Sequence, residues 1–87
     1  MSKHEVILLF KNKNADGSLN ISGNNIKRLR KEMGISQREL ADKMQLLDID
    51  VGKNAIQQIE SGKRFVTDIE LKVFAAFFRV CSDELLK

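Results

Sequence analysis

The 87-residue chain has no proline, no tryptophan and no tyrosine, with a single cysteine, Cys81, and a single histidine, His4. One cysteine excludes an internal disulfide and fits a reducing compartment. One cysteine and one histidine cannot make a Cys/His zinc site within a single chain, so no metal or other cofactor is expected. The two residues also stand at opposite ends of the sequence. No acid–base or nucleophile constellation surrounds either, which argues against an enzyme. The longest apolar run, Val6 to Phe10, is far too short to span a bilayer and lacks the cleavage pattern of a secretory signal. A cytoplasmic location and no membrane partner are therefore expected. There is also no internal repeat and no low-complexity tract.

What is present must build one small domain. The chain is 43% hydrophobic, and its five phenylalanines and many aliphatics have to supply the core. A core this modest would gain from association with another chain. The net charge of +3 is compatible with a polyanionic partner but does not by itself require one.

Residues 1–21 read differently from the rest and are set apart as an N-terminal extension. VILLF at Val6–Phe10 is followed by turn-forming residues and an Asp16-Gly17 pair. Ser2 and Glu5 have capping-box spacing for a short helix reaching about Lys13. Alternatively, VILLF and Leu19–Ile21 pair as two short strands across the Asp-Gly turn. A packed extra segment and a dimer contact are both open roles.

From Ser22 the helical signals are clear. Ile26, Leu29 and Met33 mark the apolar face of a first helix, and Gly34 supplies its left-handed end. Ser36 with Glu39 is a capping box for a second helix that buries Leu40, Ala41 and Met44 and runs to about Leu47. The chain turns over residues 48–52, DIDVG. A third helix follows over about Asn54–Ser61 and is closed by Gly62. Thr67 with Glu70 opens a fourth, carrying Leu71, Phe74, Phe77 and Phe78, and Cys81 or Ser82 caps a last turn. The expected fold is all-α, with five short helices. Met33 and Met44 are assigned to the core.

The third helix has an unusual outer side. At about 100° per residue, Asn54, Gln57, Gln58 and Ser61 share one sector, while Ile56 and Ile59 point the opposite way. Lys53 stands at its N-terminal edge. Glu–Lys pairs would support a solvated helix better than amides do. Side-chain amides, however, can bond adenine bidentately in the DNA major groove, and Lys can bond guanine acceptors. Taken alone, these residues would equally suit an ordinary polar surface.

Their neighbours carry a resemblance. NIKRLRKEMGISQRELADKM, NAIQQIESGKR and ELKVFAAFFRVCSDELL together resemble the Cro-type, lambda-repressor-like (Xre-like) helix-turn-helix DNA-binding family over residues 22–87. The resemblance implies a compact five-helix domain in which the third helix reads double-stranded DNA. It places Lys53, Asn54 and Gln58 at base-contacting positions, with Ala55 and Gln57 as secondary candidates. Ser36 and Gln37 match the start of the second helix, which anchors to phosphate, and exposed N–H groups at a helix N-terminus suit an anion. Lys63 and Arg64 match the backbone-contacting loop, and Arg38 adds field. Arg30 and Glu60 match a pair that bridges the first and third helices in relatives.

Two departures stand out. MQLLDIDVG is about five residues longer than the family's tight turn, so Ile49 and Val51 are expected to tuck inward. Gly52 stands where Ser or Thr usually caps the third helix. The implied function is a sequence-specific DNA-binding transcriptional regulator, a repressor in the first instance, acting as a homodimer on a palindromic operator. The competing reading is an antitoxin-like or adaptor module whose main partner is another protein.

Overall fold

A computed structural model describes residues 13–87, and among these residues every regular element is a helix. The elements are α1 (Gly23–Glu32), α2 (Gln37–Leu46), α3 (Lys53–Glu60), α4 (Asp68–Phe78) and α5 (Ser82–Leu85). Local chemistry accounts for most boundaries. Ser36 Oγ accepts from Glu39 N and Glu39 Oε1 accepts from Ser36 N, both at 3.0 Å, so both halves of the α2 capping box are formed. Thr67 and Glu70 form the same reciprocal pair at the start of α4. Gly52 sits before α3 in an extended conformation and contributes no side-chain cap.

Four helix ends share one design. At the end of α3, Lys63 N donates to Gln58 O at 2.8 Å and Gly62 N donates to Ile59 O at 3.1 Å. This paired closure needs a left-handed residue, and Gly62 provides it at φ +77°. Gly34 does the same after α1. After α2 and α4 the left-handed residues are Asp48 (φ 61°) and Arg79 (φ 58°), which carry a Cβ penalty that glycine escapes. The lengthened α2–α3 connection is thus an ordered helix stop. Beyond it Val51 is fully buried and Ile49 packs half-buried against the core.

The helices close around Ile26, Leu40, Met44, Val51, Ile56, Ile59, Phe74 and Leu85, all without solvent contact. Helix α2 packs on α3, α4 on α5, and α1 on both α3 and α5. Asn25 Nδ2 fastens the chain end to α1 by donating to Leu85 O at 3.0 Å.

Two expectations are corrected here. Met33 is not core: half of its surface is exposed. It stands at the C-cap of α1, and the left-handed turn at Gly34 gives the inward place to Ile35. Leu19–Ile21 is not a strand either. Asn14–Gly17 makes a turn closed by a 2.9 Å bond from Gly17 N to Asn14 O, and the following residues run as irregular chain to α1. The proposed helix from Ser2 and the VILLF run lie outside the described residues.

Candidate nucleic-acid interface

Helix α3 is two-sided. Ile56 and Ile59 are fully buried, and each contributes about 1.5–3 kcal/mol to holding the helix down. Lys53, Asn54, Gln57, Gln58 and Ser61 are exposed, whereas Ala55 is half-buried against the core. No side-chain amide of Asn54, Gln57 or Gln58 bonds to another described residue, so all three keep their donors and acceptors free for an external partner.

The tilt of this helix is fixed by charge. Arg30 Nε and Nη2 donate to Glu60 Oε2 and Oε1 at 2.7 and 3.1 Å, and Arg30 Nη1 donates to Ile35 O at 2.8 Å. The Glu60 side chain is only 3% exposed. These bonds raise the Arg30 pKa above its already high value, with the hydrogen bonds to Glu60 the largest cause. Every fully buried side-chain nitrogen and oxygen among the described residues has a partner.

Gln37 joins the same cluster, its Nε2 donating to Glu60 Oε1 at 3.0 Å. Its amide therefore faces the protein, and its contribution at the start of α2 comes through the backbone. Ser36 N and Oγ are likewise taken by the capping box. What the α2 N-terminus presents outward is the backbone N–H groups of Gln37 and Arg38, the first helical positions, which have no intrahelical acceptor. The Gln37–Glu60 bond also brings this N-terminus to the C-terminal end of α3, the end from which Lys63 and Arg64 follow.

Those two basic residues differ. Lys63 is exposed. Arg64 forms a fork on Glu70, with Nη1–Oε1 and Nη2–Oε2 both at 2.9 Å, and Nη1 also donates to Phe65 O. The hydrogen bonds from Arg64 are the largest cause holding the Glu70 carboxyl below its usual range. Arg64 thus straps the loop after α3 to the capping box of α4, and most of its donors are already used.

Asn20 escaped the sequence reading. Its Nδ2 donates to Ile59 O at 3.0 Å and to Arg64 O at 2.8 Å, while its Oδ1 accepts from Gly23 N at 2.8 Å. One side chain thereby ties the start of α1 to the end of α3 and to the loop behind it. The available signal was local: Asn is a residue type that accepts from free N–H groups near a helix start, as Asn20 does from Gly23 N, although nothing in the spacing reveals partners 39 and 44 residues away.

Comparison with known proteins agrees with this architecture. The family profile described as helix-turn-helix matches residues 26–85. The crystal structure of the DNA-binding domain of BldD is similar, with 26% identity and a TM-score of 0.64 over 78% of this chain and 92% of that one. No curated protein sequence matches. With the match spanning α1 to α5, the chain belongs to the Xre/lambda-repressor-like helix-turn-helix family.

Proposed function

We propose that the protein is a sequence-specific regulator of transcription that binds double-stranded DNA through α3, in the simplest case as a repressor. The observation that carries this reading is the pairing of opposites on one short helix. Its inner side is locked by two buried isoleucines and the Arg30–Glu60 fork, and its outer side offers three unengaged amides. A rigid helix with an unsatisfied hydrogen-bonding face suits the major groove. The family membership and the BldD DNA-binding domain support the same reading. They also favour a binding role over a catalytic one.

In this reading Lys53, Asn54 and Gln58 meet base edges, Gln57 adds a further amide, and the half-exposed Ala55 methyl lies near a thymine methyl. The backbone N–H groups at Gln37 and Arg38 take a phosphate, with Ser36 shaping that terminus and the Arg38 charge beside it. Lys63 takes a second phosphate, and Arg64 acts mainly by holding the loop. Phosphate contacts set register, and the amides set sequence. A homodimer would place two copies of α3 in half-sites about one helical turn apart. Met33, Leu47, Phe77 and Phe78 border a surface depression on the described domain, and its apolar character supports a subunit contact. The same feature favours the second reading, an antitoxin-like or adaptor module held to another protein.

Selection of bound duplexes from a random oligonucleotide pool tests the proposal. A recovered consensus with two related half-sites is the expected result. Failure to enrich any sequence would remove the DNA-reading role and leave the protein-interaction reading.

A further inference from the structure

Helix α1 carries a basic outer side that its packing does not use. Gly23, whose missing Cβ would meet the Ile59 carbonyl, and Arg30, forked onto Glu60, mark the edge of α1 that meets α3. Asn25, which donates to Leu85 O, marks the edge that meets α5. At about 100° per residue, Lys27, Lys31, Asn24 and Arg28 come in that order round the solvent side from the first edge to the second. All four are exposed. Arg28 is matched by Glu32 at 3.2 Å, but Lys27 and Lys31 make no ion pair with a described residue. Exposed lysines are most often a solvated face, so position decides what these two do. Asn24 lines one depression together with Glu60, Ser61 and Gly62. Ser61 belongs to the amide sector of α3, so the basic side of α1 and the amide side of α3 open onto the same face. From there the stripe runs toward the C-terminal end of α1, where the chain leads into the start of α2 and Gln37 bonds Glu60.

We propose that the Asn24–Lys27–Lys31 side of α1 follows the phosphates of one DNA strand, joining the anchor at Lys63 to the anchor at the start of α2. This rests on the proposed binding of DNA through α3. From Asn24 to Lys31 is about 10 Å along the helix, the axial rise of about three phosphates on one strand. Asp16 borders the depression at the Asn24 end, its carboxylate accepting from Ser18 N and Oγ at 2.9 and 2.7 Å. Its charge repels a phosphate there, which directs the strand from Asn24 toward Lys31 and away from the Asn14–Ser18 turn. Contacts of this kind add affinity without sequence preference. Arg28, already matched by Glu32, contributes little.

The test compares the full chain carrying Lys27→Gln/Lys31→Gln with the wild type and with Lys27→Arg/Lys31→Arg. Lys72→Gln, at an exposed lysine of α4, is the control for loss of charge elsewhere. Each protein is titrated with a selected duplex and a random duplex across a salt series, and ethylation interference maps the phosphates in contact. The glutamine pair should bind both duplexes more weakly by the same factor, on the order of tenfold at about 0.1 M salt, and flatten the salt slope by about two. Interference should fade at consecutive phosphates of one strand only. The arginine pair and Lys72→Gln should keep the wild-type slope, and all melting temperatures should stay unchanged. A wild-type slope in the glutamine pair, a loss confined to the selected duplex, or an equal loss in the arginine pair or in Lys72→Gln would overturn the stripe while leaving α3 as the reader. Failure of the wild type to bind any duplex would overturn the proposed function itself, and the stripe with it.

Discussion

The guanidinium of Arg30 grips the carboxylate of Glu60 through two hydrogen bonds of 2.7 and 3.1 Å, across 30 residues of sequence. This fork joins α1 to the last residue of α3, and Gln37 adds the start of α2 to it. Three helices thus meet on one carboxylate. A buried pair of this kind contributes little net stability, because desolvation opposes the attraction, but it fixes an angle that an apolar contact would leave softer.

Removing one partner should be far worse than replacing both. Arg30→Ala or Glu60→Ala leaves a buried charge unpaired and is expected to cost about 3–5 kcal/mol. The double variant Arg30→Met/Glu60→Leu should recover most of that loss in urea unfolding. Equal instability of the single and double variants would show that packing, not pairing, dominates at this site.

Gly23 occupies a position where α1 passes directly over α3. A Cβ added there would collide with the Ile59 carbonyl, a backbone atom that cannot step aside. Gly34, by contrast, has open space around its missing Cβ and only its left-handed backbone to defend. Gly34→Ala is expected to cost about 1 kcal/mol, and Gly23→Ala about 2–3 kcal/mol or more. Thermal melts of the two variants give the comparison. A Gly23→Ala protein as stable as the wild type would contradict the close approach of Gly23 to the Ile59 carbonyl.

The left-handed Arg79 offers the opposite change. Its side chain is exposed and makes no hydrogen bond to another described residue. Arg79→Gly should therefore stabilise the fold by about 0.5–1 kcal/mol, read as a raised denaturant midpoint with an unchanged slope.

Acid should weaken the loop that carries Lys63. Hydrogen bonds from Arg64, and next among the favourable causes the one from the Thr67 backbone, depress the Glu70 pKa. A depressed carboxyl stabilises the folded state at pH above its unfolded pKa and loses that contribution as pH falls through its folded pKa. The wild type should thus lose stability on going from neutral pH into the range below the ordinary glutamate value. Glu70→Gln should be less stable at neutral pH and show a shallower decline. Parallel melting curves for the two proteins between neutral pH and pH ~3.5 would contradict the assignment.

The pattern of what the sequence could tell follows the range of each interaction. Helix starts at Ser36 and Thr67, and stops at Gly34 and Gly62, rest on contacts within five residues and are written directly in the string. The inner face of α3 is similarly plain from Ile56 and Ile59. The Arg30–Glu60 fork was expected only through the family resemblance, since no periodicity links positions 30 apart. The Gln37 side chain turns to Glu60, a choice set by where α3 lies and therefore absent from local spacing. Arg64 is assigned to the backbone-contacting loop by the resemblance alone, and its fork on Glu70 depends on the loop between α3 and α4, which local spacing does not reveal. Met33 fits the helical stripe by spacing and is turned outward because the helix has already ended there. Asn20 lies outside any helical pattern, and its partners Ile59 and Arg64 are distant in sequence, so its role is not legible from spacing.

The most direct test of the reading helix compares Gln58→Ala with Lys63→Ala, each titrated against a selected duplex, its single-base variants and random DNA across a salt series. Gln58→Ala should lose about 1–3 kcal/mol of discrimination at one base position and leave random-sequence affinity nearly unchanged. Lys63→Ala should weaken all duplexes alike and flatten the salt slope by about one. Identical losses for the two variants on selected and random DNA would contradict the division between reading and anchoring residues.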